Sequence, residues 1–253
     1  ETASFTTGPD GTLDIPPDVM LQASVVPSVW FGRDLFGYGG FEDVLADGRG
    51  EGGAHWSLDP GSETAQLSRD PSIVTGNYYV SLSTRDTFTR DVVVRPVARV
   101  TPLDHRIADR EGNGVDGRAE YSVRLKARRT GVTEPFFRID AYHFFDADPT
   151  EDPESTLLRQ MQVTIDIPAD GNWHDLDVPI PAAVFADVDG TRINAALVYL
   201  GVPPPVKGAT DVAFDDIAII EWRAVAQLPP GTWHEVDVLR TNSPDMTVEL
   251  SRR

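Results

Sequence analysis

Apolar residues in this chain recur at every second position and almost nowhere at every third or fourth, which confines it to β-structure. Across 120–127, Tyr121, Val123, Leu125 and Ala127 share one face while Glu120, Ser122, Arg124 and Lys126 share the other. Met161, Val163, Ile165 and Ile167 alternate in the same way with Gln162, Thr164 and Asp166. Further strand-like runs cover 73–83, 91–95, 136–145, 195–200, 212–222, 235–239 and 247–250. Helical pattern is confined to two candidates of a single turn, 155–161 and 181–186. Turn-rich pieces at 48–53, 111–117, 147–153 and 203–208 separate the strands. About ten strands with one buried face each imply an all-β fold, a two-sheet antiparallel β-sandwich.

Charge then narrows the partners. Forty acidic residues against 22 basic give a net charge of −18, which repels nucleic acid and anionic lipid. Solubility and divalent-cation binding both remain as reasons for it. The imbalance peaks across 140–189, where 12 acids face the single base Arg159. With no cysteine there is no disulfide framework, thiolate metal site or cysteine nucleophile. No apolar run approaches the roughly 18 residues of a membrane span, so no membrane insertion is expected. A start at Glu1 without Met is expected of a mature or excised fragment of a larger protein.

Proline and glycine mark the expected divisions. Residues 1–32 contain Gly8-Pro9-Asp10-Gly11 and Pro16-Pro17 and read as a linker with an edge segment. Residues 33–223 hold the sandwich. Residues 224–253, with Pro229-Pro230-Gly231, read as an added C-terminal β-hairpin packed on it.

Three landmarks stand in order along the sandwich. Asp34-Leu35-Phe36-Gly37-Tyr38-Gly39-Gly40-Phe41-Glu42-Asp43 precedes Trp56, Gly171-Asn172-Trp173 lies mid-chain, and Phe214-Asp215-Asp216-Ile217 closes the series. Over residues 34–222 this set resembles the carbohydrate-binding modules of the galactose-binding-like jelly-roll group, in particular the families that bind xylan and β-glucan. The resemblance implies a non-catalytic module of a secreted or cell-surface bacterial protein, with polysaccharide or oligosaccharide as partner. It also implies a structural Ca2+ tying the first strand to the last, through Glu42 and Asp215 or Asp216. One departure is the opening Gly32-Arg33-Asp34-Leu35, where the group has Asn-Leu. Together with the C-terminal extension, that variant resembles accessory regions of bacterial capsule or poly-γ-glutamate synthesis proteins, which implies a structural or assembly role without glycan binding.

The residues themselves make the metal chemically reasonable. Val212 and Phe214 fall in one strand phase and Ile217 and Ile219 in the other, so a bulge at Asp215-Asp216 would return all four to the core. Carboxylates so placed need a partner, which calcium with six to eight oxygen ligands supplies. A salt bridge from one aspartate, with the other in water, would serve as well.

For a ligand face the run 136–145 stands out. Phe137, Ile139, Ala141 and Phe145 suit the core, whereas Phe136, Arg138, Asp140, Tyr142 and Phe144 interleave aromatics with both charge signs, and Tyr199 adds to them from another strand. Aromatic planes beside aimed polar groups suit sugar stacking and hydroxyl recognition. Alternatively a loop or terminal segment covers this face and Arg138 simply pairs with Asp140. The sequence has no Gly-x-Ser-x-Gly elbow, His-Glu-x-x-His helix or phosphate-binding loop, and its five histidines are scattered. A glycoside hydrolase or lyase on a jelly roll is therefore the third reading, after glycan binding and assembly.

Overall fold

The computed structural model describes residues 2–15, 20–22, 29–34, 56–58, 65–69, 78–84, 91–96, 120–144, 155–191, 193, 195–204, 208–224, 233–241 and 247–251. The strands run in chain order as β1 (Thr2–Thr6), β2 (Thr12–Asp14), β3 (Met20–Gln22), β4 (Val29–Asp34), β5 (Trp56–Leu58) and β6 (Ala65–Arg69). They continue as β7 (Tyr78–Thr84), β8 (Val92–Pro96), β9 (Glu120–Thr130), β10 (Phe136–Phe144), β11 (Ser155–Thr164) and β12 (His174–Ile180). After a 3-10 turn at Ala182–Phe185 come β13 (Ala195–Val202), β14 (Thr210–Ala224), β15 (Trp233–Glu235), β16 (Val238–Thr241) and β17 (Thr247–Ser251).

The chain divides into two compact units, one of Leu35–Gly117 and Val123–Ala218 and a second of Glu1–Asp34, Arg118–Ser122 and Ile219–Arg253. Strands β9 and β14 contribute a part to each. In the larger unit one sheet has the order β11-β10-β13-β8-β5, and the other joins β12, β9, β14, β7 and β6. Alternation decides what lies between them. Val80 and Leu82 of β7, Val123 and Leu125 of β9, and Phe137 and Ile139 of β10 are all buried, as are Leu200 and Val202 of β13 and Val212 and Phe214 of β14. Each such side chain contributes about 1.5–3 kcal/mol by leaving water. The all-β jelly-roll reading of the sequence is the architecture found.

Two local expectations need correction. The stretch 155–161 is the first part of β11, not a helical turn. Its register against β10 passes from Ala141↔Arg159 to Tyr142↔Leu157, so Leu158 is an extra, bulged residue. That bulge breaks the period-2 signal and leaves Leu157-Leu158 looking helical. The second concerns the ends. In place of a linker and a C-terminal hairpin, the terminal segments pair with each other: β1 with β17, β3 with β15 and β17, and β16 with both β2 and β4. A lone two-stranded hairpin is marginal in water. Laddering both chain ends into a four-stranded sheet, β1-β17-β3-β15, leaves fewer open edges.

Within that terminal unit β4, ending at Asp34, pairs with Ile220–Ala224 of β14. Trp222 and Tyr121 both pack inside this unit. Trp222 is 1% exposed and its indole Nε1 donates to Ser122 Oγ at 2.8 Å, while the Tyr121 hydroxyl donates to Glu221 Oε2 at 2.9 Å. Arg240 lies over the ring of Trp222 at 4.6 Å and donates to Glu120 Oε2 at 2.8 Å.

In the larger unit β12 is introduced by a tight turn. Gly171 sits at φ +75°, a region that suits glycine, and its N–H donates to the Arg129 carbonyl at 3.0 Å. Asp170 Oδ1 accepts the Asn172 N–H at 2.9 Å and contacts His174 Nε2 at 3.0 Å. The His174 hydrogen bond, followed by that of the Asn172 amide, holds the Asp170 carboxyl down at about 2, so the turn keeps its acceptor at all milder pH.

The two-sheet interior makes a direct prediction. Phe137→Ala is expected to cost about 3–5 kcal/mol in urea unfolding. Val132→Ala, at a side chain 72% exposed, should stay within about 0.5 kcal/mol. Equal effects would contradict the interior described.

Candidate functional site

The outward face of the β11-β10-β13 sheet carries the polar cluster. Pairing sets Arg138 opposite Tyr199 of β13 and Gln162 of β11, and Asp140 opposite Gln160. The Arg138 guanidinium stands 4.3 Å over the Tyr199 ring, and its Nε lies 3.2 Å from Asp140 Oδ1. Gln160 Nε2 donates to the same oxygen at 2.8 Å. Asp140 is 4% exposed, so its charge is viable only because the Arg138 cation and the Gln160 amide meet it. Arg138 and Tyr142 are half-buried and reach toward solvent at the margin of the network. Burial above all, then the neighbouring Tyr199 and Asp140, pushes the Tyr142 phenol above its ordinary range, so it remains a neutral donor.

The expected site residues thus have unequal fates. Arg138, Asp140, Tyr142 and Tyr199 come together. Phe136 does not offer an open stacking plane: it is 1% exposed and clusters with Val93 and Tyr199. Its ring lies so close over Gly201 that a Cβ there would stand 2.6 Å from it. Phe144 shares their strand phase, but its side chain lies outside the described residues. Exposed Gln160, Gln162 and Thr164 of β11 complete the face beside the 47%-exposed Leu157. The sequence pattern had placed Gln162 and Thr164 only on a solvent face. The signal that they border a site was the same alternation, once β11 is set beside β10.

At the closing aspartates the strand behaves as its phase mismatch requires. Val212, Phe214, Ile217 and Ile219 are all buried, and Asp216 has φ +47°. Asp216 is committed to Lys126, whose Nζ lies 2.9 Å from Oδ2 and whose pKa that bond raises. Asp215 is fully buried, and its Oδ1 accepts the Asp216 N–H at 2.8 Å. Glu42 lies outside the described residues. Among the described residues no three His, Cys, Asp or Glu converge as a metal set. Asp215 suits a calcium ligand by burial and charge, whereas Asp216 is already balanced by Lys126.

No family model matches the chain and no curated protein matches it. Among solved structures it is similar to several carbohydrate-binding modules. One is a family 61 module in complex with β-1,4-galactotriose, at 11% identity and TM-score 0.37 over 75% of this chain and 99% of that one. Another is the CBM22-1 xylan-binding domain from Paenibacillus barcinonensis Xyn10C, at 11% and 0.38 over 77% and 97%. An arabinose-bound GH51 α-L-arabinofuranosidase is similar at 10% and 0.43 over 82% of this chain, which spans 31% of that enzyme. Likeness of this degree carries no inference about ligand, which rests on the side chains. Among the described residues no helix is long and apolar enough to cross a membrane.

Removing Arg138 should strand the buried Asp140 carboxylate. Arg138→Ala is expected to destabilise by about 2–3 kcal/mol in urea unfolding. The double variant Arg138→Met, Asp140→Leu should recover most of that loss; additive losses would show that the pair is not coupled.

Proposed function

We propose that this chain is a non-catalytic carbohydrate-binding module that captures a neutral polysaccharide on the outward face of β11-β10-β13. The observation that carries this reading is the half-exposed pair Arg138 and Tyr142 on one face, where Arg138 pairs with the buried Asp140, Gln160 donates to that same carboxylate, and exposed glutamines flank them. Such a face meets sugar hydroxyls with fixed donors and acceptors, and the Tyr142 ring and Leu157 supply apolar contact for C–H surfaces. With Phe136 enclosed and Arg138 over Tyr199, recognition leans on hydrogen bonding more than on stacking, so the affinity is modest. The module works as part of a larger extracellular or cell-surface protein, and a structural Ca2+ on Asp215, with Glu42 and backbone carbonyls, steadies the turn of β14.

A second reading has its own support. Val93, Phe136 and Tyr199 are buried although they lie on the outward face, as expected where a surface is covered by protein. On that reading the unit is an assembly domain of a surface-polymer synthesis protein and binds no glycan.

Affinity electrophoresis in gels containing xylan, mixed-linkage β-glucan, mannan or galactan separates the two. Glycan capture predicts retardation by at least one polymer, reduced about ten-fold or more in affinity by Tyr142→Ala with the fold intact by circular dichroism. Folded protein that migrates freely in all four gels favours the assembly role. Calcium is tested apart: millimolar Ca2+ should raise the melting temperature of chelator-treated protein, and Asp215→Asn should abolish the rise. A rise unchanged in that variant removes Asp215 from the ligand set.

A further inference from the structure

The other sheet of the larger unit bears a cavity of its own. It measures about 180 Å³ and is lined by Ser81 of β7, Arg128 and Thr130 of β9, Gly171 of the turn before β12, and Asp211 and Ala213 of β14. Ser81, Arg128 and Thr130 alternate with the buried Val80, Leu82 and Ala127, which places the cavity on the outward face of its sheet.

Its polar groups are fixed before any ligand arrives. Arg128 Nη2 donates to the Tyr79 hydroxyl at 3.0 Å, and the guanidinium lies 5.2 Å from the Tyr79 ring centre and 5.0 Å from that of Trp173. Those two rings meet edge to face at 5.5 Å, so they form a bracket around the cation. Across the cavity Asp211 Oδ1 accepts the Ser83 hydroxyl at 2.5 Å. One fixed cation and one fixed anion therefore line a common space with Ser81 and Thr130.

We propose that this cavity is a second binding site, for a single neutral sugar residue. A carboxylate accepts from adjacent ring hydroxyls while a guanidinium donates to them, and one charge of each sign leaves the site with no net charge, so it selects a polyhydroxylated but uncharged ligand. The net charge of −18 further disfavours a uronate or sulfate. A space below the roughly 300 Å³ of drug-sized pockets takes one ring, a free monosaccharide, chain end or branch, and excludes the middle of a polymer. The site shares no residue with the β11-β10-β13 face and stands or falls separately from it.

The test is ligand-observed NMR and calorimetry on the full chain with methyl glycosides of neutral hexoses and pentoses, and with glucuronate and galacturonate. At least one neutral glycoside should bind, about ten-fold or more weaker in Asp211→Asn and unchanged in Tyr142→Ala. Arg128→Lys, which keeps the charge but loses the planar fork, should weaken binding as well. Polymer retardation in gels should survive Asp211→Asn, which separates failure of this site from failure of the other face. The proposal is overturned if no neutral glycoside binds the folded protein, if uronates bind better, or if Asp211→Asn leaves binding unchanged.

Discussion

Strand β10 has to bury both of its faces, and much of the larger unit follows from that constraint. Toward the interior it presents Phe137, Ile139 and Ala141, each fully buried. Toward the outside it presents Phe136 at 1% and Asp140 at 4% exposure. A strand flanked by β11 and β13 satisfies its backbone groups through both ladders, but an outward carboxylate has no such provision. Arg138 two residues away, and Gln160 at the paired position of β11, supply it. The network that positions the candidate site is thus first a requirement of folding, and it holds the polar groups of that face rigid.

The same reasoning explains β14. Its apolar residues change phase between Phe214 and Ile217, so a regular strand would turn one of the two pairs away from the core. A left-handed residue at Asp216 absorbs the slip at a cost on the order of 1 kcal/mol, less for aspartate than for most side chains. Burial of Ile217 and Ile219 outweighs that cost. The slip also determines where the two carboxylates end up, Asp216 on Lys126 and Asp215 buried.

How much of this the sequence disclosed depended on how local each signal is. Period-2 alternation is local, so β9, β10, the phase change in β14 and the sandwich itself were legible. The grouping of Arg138, Asp140, Tyr142 and Tyr199 was legible too, because three of them share one strand. Pairing partners are not local. Nothing in 1–32 announces that β1 and β3 complete a sheet with β17 and β15, since those three- to five-residue strands carry too few side chains to fix a register by pattern. The enclosure of Phe136 was hidden for a related reason: it depends on Val93, more than forty positions away, and on the absence of a side chain at Gly201. The cavity at Asp211 draws on β7, β9, β14 and a turn, and no single window of sequence contains it.

Cations are scarce in this chain, 22 against 40 acids, and what each one faces is correspondingly informative. Along the outward row of β9, Lys126 is directed at a carboxylate, Asp216, and its charge is locally cancelled. Arg128, one step along the same row, is held by the neutral hydroxyl and rings of Tyr79 and Trp173. A neutral bracket orients a guanidinium without neutralising it, whereas a carboxylate does both. Arg138 combines the two, with Asp140 on one side and the Tyr199 ring beneath. In a protein whose long-range field is negative, an arginine fixed by aromatic groups keeps its donors available at short range, where hydrogen-bond geometry outweighs net charge.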